Sequence, residues 1–562
     1  MFMKNYLVFL IVIASLLLSK DKADLKFNND ESYEDYIELF ESSFNKLKVN
    51  FVDSVNESEM IKAGIKGMLK NLDPYTKLLE DNSLESFDIL RKGKYGGVGI
   101  QIGLRRDTLT VLSPMEDSPA YSEGIIAGDK IMRVDSTFTR GLNVSDASSL
   151  IKGEVGSTVI LGIYRPSTKE EIDFELTRSN IIVKHVPYWG VDKNNIGYIR
   201  ITRFSRNASK DFKKGLEELQ KQDISGLVID LRGNSGGLLS NAINILDYLC
   251  ERGELLLFSK GKTNRSNKEW KSRRKPILDI DTPIVVLVNK GSASASEIVS
   301  GSLQDLDRAV ILGQNTFGKG LVQHMYDLND TITLKITTSK YYLPSGRLIQ
   351  KQDYLDNGFL TDGLDKRDSL FTTKGGRLVN GGNGIAPDIQ TKRNVLSPYV
   401  QELWRQGVFL SFAASYVPFN KQLKLPIKID SKIMSDFKLF IKDYDLDYQL
   451  KGEKEYLKFL EKMKKTPISI NKYSKNIYSN QNGSIDLIDE DMMSSYFEQI
   501  KKVQFSLDEN QRWIKNGLER EISKVLGGEK ERIRASLNED MEYKKAVELI
   551  LNLKEYYTIL EF

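Results

Sequence analysis

Two short stretches of the sequence could together perform nucleophilic chemistry. The segment GSASASEIVSGSLQDL, residues 291–306, places several serines among small residues directly after the apolar run TPIVVLVN. Lys319 follows Ser294 by 25 residues and stands between two glycines in NTFGKGLVQ. A serine hydroxyl can attack a carbonyl carbon when a nearby base accepts its proton, and a neutral lysine can act as that base. The structural alternative is a helix start, because Ser294-Ala-Ser-Glu297 is also the S-x-x-E pattern of a capping box.

Few residues could act as the base for a serine, because the chain has only two histidines, His185 and His324. His185 lies more than a hundred residues before Ser294, in the β-like run IIVKHVPYW, and an ordinary strand residue is its simpler interpretation. His324 adjoins Gln323, so on a strand their side chains would point to opposite faces. A free lysine is protonated at neutral pH, but burial without a partner carboxylate disfavours the charged form and lowers its pKa. Lys319 suits that requirement, since no acidic residue occurs from residue 313 to 324.

A strand-to-helix junction is predicted at VIDLRGNSGG, residues 228–237. Gly236 and Gly237 at the start of a helix could donate backbone N–H groups to an oxyanion. A phosphate cradle is an alternative, although neither G-x-G-x-x-G nor the P-loop pattern fits the motif. A turn without any chemical role is equally consistent with this motif taken alone.

The stretch GQNTFGKG, residues 313–320, comes close to a nucleotide-binding P-loop. Gly313, Gly318 and Lys319 obey G-x-x-x-x-G-K. Gly320, however, stands where the pattern needs Ser or Thr to hold Mg²⁺, and the sequence that follows is strand-like. A P-loop nucleotide-binding protein is therefore a remote alternative.

The glycine-rich stretch KYGGVGIQI, residues 94–102, indicates either a flexible bend before a strand or a carboxylate-binding loop. In the second case the backbone N–H groups of Val98, Gly99 and Ile100 would converge on an anion. The strand that follows could then pair with an extended peptide. Together with DSPAYSEGIIAGDKIMRVD, residues 117–135, this pattern resembles a PDZ domain.

Length and composition indicate a chain of several domains. The 562 residues exceed what one hydrophobic core usually organises. The 81 basic and 77 acidic side chains nearly balance, so charge offers no argument for nucleic-acid binding. The one cysteine, Cys250, excludes an intrachain disulfide, and its apolar setting predicts a packed core thiol.

The N-terminus predicts export. Lys4 precedes twelve apolar or small residues, Leu7 to Leu18, which is shorter than the roughly 20 residues that a membrane-spanning helix needs. That pattern is typical of a signal peptide, here residues 1–20. A buried N-terminal helix and a retained anchor are the alternatives.

The order of the motifs resembles the C-terminal processing peptidases, also called tail-specific proteases, which are PDZ-containing Ser/Lys endopeptidases. The resemblance is carried by DLRGNSGG, NKGSASASE, TFGKGLVQ, YYLPSGRLIQ and GGNGIAPDI. It implies that Ser294 is the nucleophile, Lys319 its base and Gln323 the residue that orients the lysine. It also implies oxyanion donors at the N–H groups of Ala295 and Gly236, with Gly237 as the alternative to Gly236.

The resemblance further implies a multidomain α/β architecture. Its expected parts are a signal peptide (1–20), an N-terminal helical segment (21–87), a PDZ domain (88–180), a Ser/Lys protease core (181–395) and a helical C-terminal extension (396–562). The extension is rich in lysine and shows no motif that indicates a function. The sequence departs from relatives at Tyr75 in LDPYT and at Asn383 in GGNGIAPD, neither of which is an expected catalytic position.

The function implied is that of an exported endopeptidase of the periplasm or cell envelope. It would cleave polypeptides with free C-termini through an acyl-enzyme, without metal or cofactor and without nucleic acid. A homo-oligomer and an adaptor for the C-terminal extension are further expected partners. The non-enzyme alternative is a catalytically inactive PDZ-bearing scaffold, which would not need an intact serine, lysine and glutamine set.

Overall fold

The computed structural model describes residues 32–351, 370–392, 395–444, 446–465 and 490–560. The chain forms two compact units, Met1–Asn71 and Leu72–Phe562. The expected signal peptide lies outside the described residues. Within the described part, none of the helices has the length and apolar character needed to cross a membrane.

From residue 32 onward, the first unit contains two helices, α1 (Tyr33–Asn50) and α2 (Glu57–Lys70). Ser32 and Asp35 form a capping box at the start of α1, and the side chain of Asn56 caps α2. The helical N-terminal region is confirmed, and its bounds of 21–87 stay a prediction. The expected end at residue 87 falls inside α3 (Asp81–Lys92), and β1 (Lys77–Leu79) pairs with a strand of the protease core, Thr333–Tyr342.

A β-rich region follows and confirms the expected PDZ-like fold. Its sheet has the strand order β3-β4-β5-β7-β8, with β6 paired to β5, so β3 is an edge strand. Its elements are β3 (Ile100–Arg105), β4 (Thr108–Pro114), α4 (Pro119–Ser122), β5 (Lys130–Val134), β6 (Thr137–Phe138), α5 (Val144–Ile151), β7 (Thr158–Arg165) and β8 (Glu170–Thr177). The region is closed by a ladder between β2 (Lys94–Gly97) and β9 (Ser179–Ile182).

The protease core is built on a six-stranded sheet in which the edge strand β10 is antiparallel and the other strands are parallel. In spatial order the strands are β10 (Tyr188–Val191), β11 (Ile196–Arg200), β12 (Gly226–Asp230), β15 (Ile284–Val288), β16 (Val310–Gly313) and β21 (Ile389–Gln390). Strands β12 and β15 are neighbours, with Asp230 opposite Leu287. The loops that follow them therefore emerge side by side, which is where ligands bind in open α/β sheets.

One face of this sheet is covered by α6 (Ala208–Gln220), α7 (Leu239–Leu249) and α8 (Ala295–Asp305). A second sheet lies beside it, with the order β1-β18-β13-β14 and β17 paired to β18. Its strands are β13 (Leu255–Gly261), β14 (Lys268–Lys271), β17 (Leu321–Asp327) and β18 (Thr333–Tyr342). A hairpin of β19 (Leu370–Thr372) and β20 (Leu378–Asn380) follows.

The C-terminal extension is helical, as expected. Its helices are α9 (Pro398–Arg405), α10 (Val408–Tyr416), α11 (Ser431–Lys442), α12 (Lys451–Lys465), α13 (Glu490–Val503), α14 (Asp508–Ser536), α15 (Met541–Leu551) and α16 (Leu553–Leu560). Short 3₁₀ turns occur at Asn264–Ser266, Val417–Phe419, Gln504–Ser506 and Leu537–Glu539. Helix α14 is interrupted at Gly527 and Gly528.

The last two helices cover the second face of the core sheet. Tyr543, Ala546 and Ile550 of α15 are buried in one cluster with Tyr198 and Val228 of the sheet. The approach is close, since a Cβ added to Gly226 would lie 2.3 Å from the side chain of Ile550. A division at residue 395 would therefore cut through one hydrophobic core.

Candidate active site

Ser294 lies at the junction between β15 and α8, half-buried, as the N-cap residue of the helix. Its φ of 55° and ψ of −112° are unusual for a residue with a side chain. Such backbone strain costs about 1–3 kcal/mol and is concentrated at functional sites.

The hydroxyls of the neighbouring serines donate hydrogen bonds, and within the described residues that of Ser294 does not. The hydroxyl of Ser292 donates to the carbonyl oxygen of Leu231 at 2.8 Å, and that of Ser296 donates to the carbonyl oxygen of Asn234 at 2.8 Å. In the described part of the chain, the hydroxyl of Ser294 donates to no acceptor. Ser294 is therefore the serine of this segment whose hydroxyl is available for reaction.

Glu297 joins the segment of Ser294 to that of Lys319. Its carboxylate is fully buried and accepts two hydrogen bonds at each oxygen. Oε2 accepts from the backbone N–H of Ser294 at 2.7 Å and of Lys319 at 2.9 Å. Oε1 accepts from Thr316 Oγ1 at 2.5 Å and from the N–H of Gly318 at 2.6 Å. Burial raises the pKa of Glu297, and these hydrogen bonds oppose that rise.

Sequence reasoning assigned Glu297 only to a helix cap. The cap contact is present, but the same carboxylate also binds a loop more than twenty residues away. A second link is made by Tyr341 of β18, whose hydroxyl donates to the carbonyl oxygen of Lys319 and lies 3.3 Å from that of Ser294. No sequence pattern indicated the contact with Ser294, because Tyr341 lies on a different sheet from β15, the strand that precedes Ser294.

The side chain of Lys319 is directed by Gln323 and Tyr75. Its Nζ donates to Gln323 Oε1 at 2.7 Å and lies 4.4 Å from the centre of the Tyr75 ring. Burial lowers the pKa of Lys319 to about 8, and the nearby charge of Lys335 contributes to the decrease. The carboxylates of Asp73 and Glu297 act in the opposite direction. An amine with this pKa is partly neutral near neutral pH.

Gln323 is held in turn by the LDPYT segment, through Thr337 of β18. Gln323 Nε2 donates to Thr337 Oγ1 at 3.3 Å, and that hydroxyl donates to Asp73 Oδ1 at 3.2 Å. Asp73 also accepts from the backbone N–H groups of Tyr75 at 2.8 Å and Thr76 at 3.0 Å. Tyr75, noted in the sequence only as a departure from relatives, thus contacts the lysine directly.

The backbones of Ser294 and Lys319 are held by one carboxylate, but in the described residues no hydrogen bond joins their side chains, Ser294 Oγ and Lys319 Nζ. In substrate-free enzymes catalytic hydrogen bonds are often long and tighten only when substrate binds.

The glycines of DLRGNSGG lie against Ser294. A Cβ added to Gly236 would lie 2.9 Å from Ser294 Cβ and 3.0 Å from the backbone N of Ala295. The N–H of Gly236 donates to Asn234 Oδ1 at 2.9 Å, so it is already used. The carbonyl of Gly236 accepts from the N–H of Phe204, and in a trans peptide the N–H of Gly237 points the opposite way. Of the two alternatives, this geometry favours Gly237.

The loop at Val98, Gly99 and Ile100 has the form of an anion-binding loop. Gly99 has a φ of 78°, and a Cβ there would lie 2.2 Å from the side chain of Ser118. The carbonyl of Val98 accepts from the N–H of Ala120, and that of Gly99 accepts from Met115 N–H. The N–H groups of Gly99 and Ile100 therefore point away from these partners. They lie at the start of the edge strand β3.

The other sequence candidates lie outside this site. Gln323 and His324 point to opposite faces of β17 as predicted, and His324 Nδ1 lies 2.6 Å from Thr338 Oγ1. His185 lies in a bend rather than a strand, and burial lowers its pKa to about 4. Cys250 is buried, as expected, and burial raises the pKa of its thiol to about 12.

The structure contradicts the P-loop alternative. The N–H groups of Gly318 and Lys319, which would bind phosphate, donate to the carboxylate of Glu297. Strand β17 follows instead of the helix that the motif requires.

Comparisons with known proteins identify the family of the chain. The profile of peptidase family S41 matches residues 195–358, and that of a PDZ domain matches residues 96–176. A carboxy-terminal-processing protease of Bartonella bacilliformis is 33% identical over 327 residues, which are 58% of this chain and 74% of that protein. The chain belongs to peptidase family S41. It is a serine protease of the PDZ-containing C-terminal processing type.

Further relatives extend the S41 match. The carboxyl-terminal-processing protease of Picosynechococcus is 38% identical over 286 residues, covering 50% of this chain and 67% of that protein. A solved photosystem II D1 C-terminal processing protease is 29% identical, covers 63% of this chain and 87% of its own, and has a TM-score of 0.34. The extension, in which the sequence showed no motif, matches a family described as "Probable PDZ-protease, C-terminal helical domain" over residues 399–550.

We predict that Glu297→Gln slows proteolysis by about ten- to a hundredfold. In this variant the NH₂ group of the glutamine would face two of the four groups that now donate hydrogen bonds to the carboxylate. The loops of Ser294 and Lys319 would therefore separate. Small displacements of catalytic groups reduce rates by factors of this size. The measurement is the initial rate of cleavage of an unfolded protein. Glu218→Gln, on the exposed side of α6, is the matched control and should keep the wild-type rate. A wild-type rate in Glu297→Gln would contradict the assigned role.

Proposed function

We propose that this protein is an exported serine endopeptidase in which Ser294 and Lys319 form a catalytic dyad. The observation that carries the proposal is the environment of Lys319. Burial holds the pKa of the amine near 8, Gln323 orients it, and Glu297 ties its loop to that of Ser294.

In the first step neutral Lys319 accepts the hydroxyl proton of Ser294 while Oγ bonds to the peptide carbonyl carbon. The protonated lysine then gives that proton to the leaving amine, the C–N bond breaks, and an acyl ester on Ser294 remains. Water gives a proton to the same lysine as it attacks the ester, the C–Oγ bond breaks, and the lysine returns the proton to Ser294 Oγ as the new C-terminus is released. Each proton therefore passes through one amine, which must be neutral at the start of each half-reaction.

The negative charge that develops on the carbonyl oxygen is stabilised by backbone N–H groups. Ala295 at the start of α8 supplies one, and Gly237 supplies the other in place of Gly236, whose N–H is occupied by Asn234. Such donors are worth several kcal/mol when they are fixed in place before the reaction.

The PDZ domain, residues 88–180, selects the substrate. The terminal carboxylate binds the N–H groups of Val98, Gly99 and Ile100. The preceding residues add a strand to the free edge of β3, between it and α5. A peptide whose last residue lies at the start of β3 must run antiparallel to that strand.

The remaining assignments complete the proposal. Residues 1–20 act as a signal peptide that directs the enzyme to the periplasm or cell envelope. Polypeptides with free C-termini are the substrates, and no metal, cofactor or nucleic acid takes part. A homo-oligomer and an adaptor that binds the C-terminal extension remain predictions.

We predict that Ser294→Ala and Lys319→Ala each abolish cleavage of an unfolded test protein, and that the double variant loses no more than either alone. Groups that act as one catalytic unit give losses that do not add. Circular dichroism should show an unchanged fold. Ser292→Ala and Ser296→Ala are the matched controls, because their hydroxyls have structural contacts, and both should retain measurable turnover. An inactive Ser292→Ala beside an active Ser294→Ala would contradict the assignment of the nucleophile.

We predict that kcat/KM rises about tenfold per pH unit below pH 8 and becomes constant above it. The neutral amine is the active form, so lowering the pH below the pKa of Lys319, about 8, protonates the base and removes activity. The measurement is a pH–rate profile on a peptide that does not titrate in this range. A His185→Ala/His324→Ala double variant should give the same profile. A transition near pH 6.5 in that variant would leave the lysine assignment without support.

We predict that amidation of the substrate C-terminus weakens binding by about 1.5–3 kcal/mol, or roughly ten- to a hundredfold. Amidation removes the charge that strengthens hydrogen bonds to the loop. Binding of the free and amidated peptides is measured on the full-length Ser294→Ala variant, and cleavage of both on the wild type. Acetylating the peptide N-terminus is the control and should have no effect. Equal binding and equal cleavage of the two peptides would exclude the loop as a carboxylate site.

A further inference from the structure

The guanidinium of Arg232, in DLRGNSGG, connects the loop beside Ser294 to the C-terminal extension. Its Nη1 donates to Asp540 Oδ1 at 3.0 Å and to Glu542 Oε2 at 2.7 Å. Its Nη2 donates to Asp540 Oδ2 at 2.5 Å. Asp540 is the N-cap residue of α15 and accepts from the N–H groups of Glu542 and Tyr543. Glu542 also accepts from Thr391 Oγ1 at 2.5 Å.

The same guanidinium binds the end of strand β12. Nε and Nη2 of Arg232 donate to the two oxygens of Asp230, at 3.0 and 2.7 Å. Asp230 is fully buried and also accepts from Arg200 at 2.6 Å and from Tyr198 at 2.7 Å. Burial alone would raise the pKa of Asp230, but Arg232 and Arg200 hold it well below its usual range. Asp230 is therefore charged. Arg232 pairs with this charge and also with the carboxylates of the extension.

This network lies at the base of the loop that lines the active site. Leu231 lies between Asp230 and Arg232, and its carbonyl oxygen accepts a hydrogen bond from the hydroxyl of Ser292. The carbonyl oxygen of Asn234 accepts from the N–H of Ala293 at 3.0 Å. The loop then reaches Gly236, whose Cα packs against Ser294. A displacement of Arg232 would therefore be transmitted to the backbone that carries both the oxyanion donor and the contacts of the nucleophile segment.

We propose that Asp540 and Glu542 are positioning residues of the active site, which hold the oxyanion loop in place through Arg232. The C-terminal helical domain then contributes to the rate of the chemical step through these two residues. This inference rests on the proposed role of the loop in stabilising the oxyanion.

The test is the double variant Asp540→Asn/Glu542→Gln in the full-length protein. Both replacements keep size, and Asn is as good a helix N-cap as Asp, so α15 should remain capped. We expect kcat to fall by about ten- to a hundredfold, because small misplacements of catalytic groups have effects of this size. KM and the binding of a peptide with a free C-terminus should be unchanged. Hydrogen–deuterium exchange should become faster in residues 231–238.

Two control variants separate positioning from stability. Tyr556→Phe removes the hydroxyl that bonds to the backbone of Ile284, another contact between the extension and the core sheet but on a different strand. It should lower the thermal unfolding temperature and leave kcat unchanged. Glu539→Gln removes the ion pair with Arg512 within the extension, next to Asp540 in sequence, and should also leave kcat unchanged.

Unchanged kcat and unchanged exchange in the Asp540→Asn/Glu542→Gln variant would overturn the inference. So would an equal loss of kcat in Tyr556→Phe at an equal loss of stability, since that result shows only that the extension supports folding. If the wild type gave no Ser294-dependent cleavage, the proposed function would be wrong. The exchange of residues 231–238 would then still decide whether the extension holds the loop.

Discussion

The buried carboxylate of Glu297 is the interaction on which the active site depends. It accepts from the backbone of both Ser294 and Lys319, and from Thr316 and Gly318, so no oxygen lone pair is left to water. A buried carboxylate is tolerated only when its hydrogen bonds replace those of water. Because both segments supply donors, either one moving away would leave the buried charge with fewer partners. The same residue that starts a helix therefore holds together the segments of the proposed nucleophile, Ser294, and the proposed base, Lys319.

The proposed role of Lys319 as a base requires a buried amine without a close counter-ion. Three separate parts of the chain build this environment. The lysine precedes β17, its orienting Gln323 lies on that strand, and Tyr75 covers the amine from the segment before the PDZ domain. Thr337 of β18 and Asp73 complete the chain of hydrogen bonds. Strand β1 follows Tyr75 and pairs with β18, which places this segment against the core. Hydrogen bonds to Gln323 thus direct the amine without the strong positive shift of pKa that a directly bonded carboxylate would cause.

The C-terminal extension has a structural part that is inseparable from the protease core. A parallel sheet needs cover on both faces, and its strands are apolar on both. Helices α6 to α8 cover one face, and α15 and α16 cover the other. Tyr198, Val228 and Val285 would be exposed without them. A region without catalytic motifs therefore still contributes to the core of the protease.

The sequence by itself predicted the residues of the site and determined the kinds of element that carry them. Ser294, Lys319, Gln323 and the glycine motifs are recognisable because each needs a particular residue type in a short local pattern. The PDZ-like region follows from its glycine motif, and the family resemblance implied the α/β core and the helical ends. Only the tertiary structure decided which donors and partners these residues use. Gly237 rather than Gly236 has the better placed N–H, Glu297 is more than a helix cap, and residues after 395 complete the core. These outcomes depend on contacts between segments far apart in the chain, and local sequence patterns carry no information about which distant segments meet.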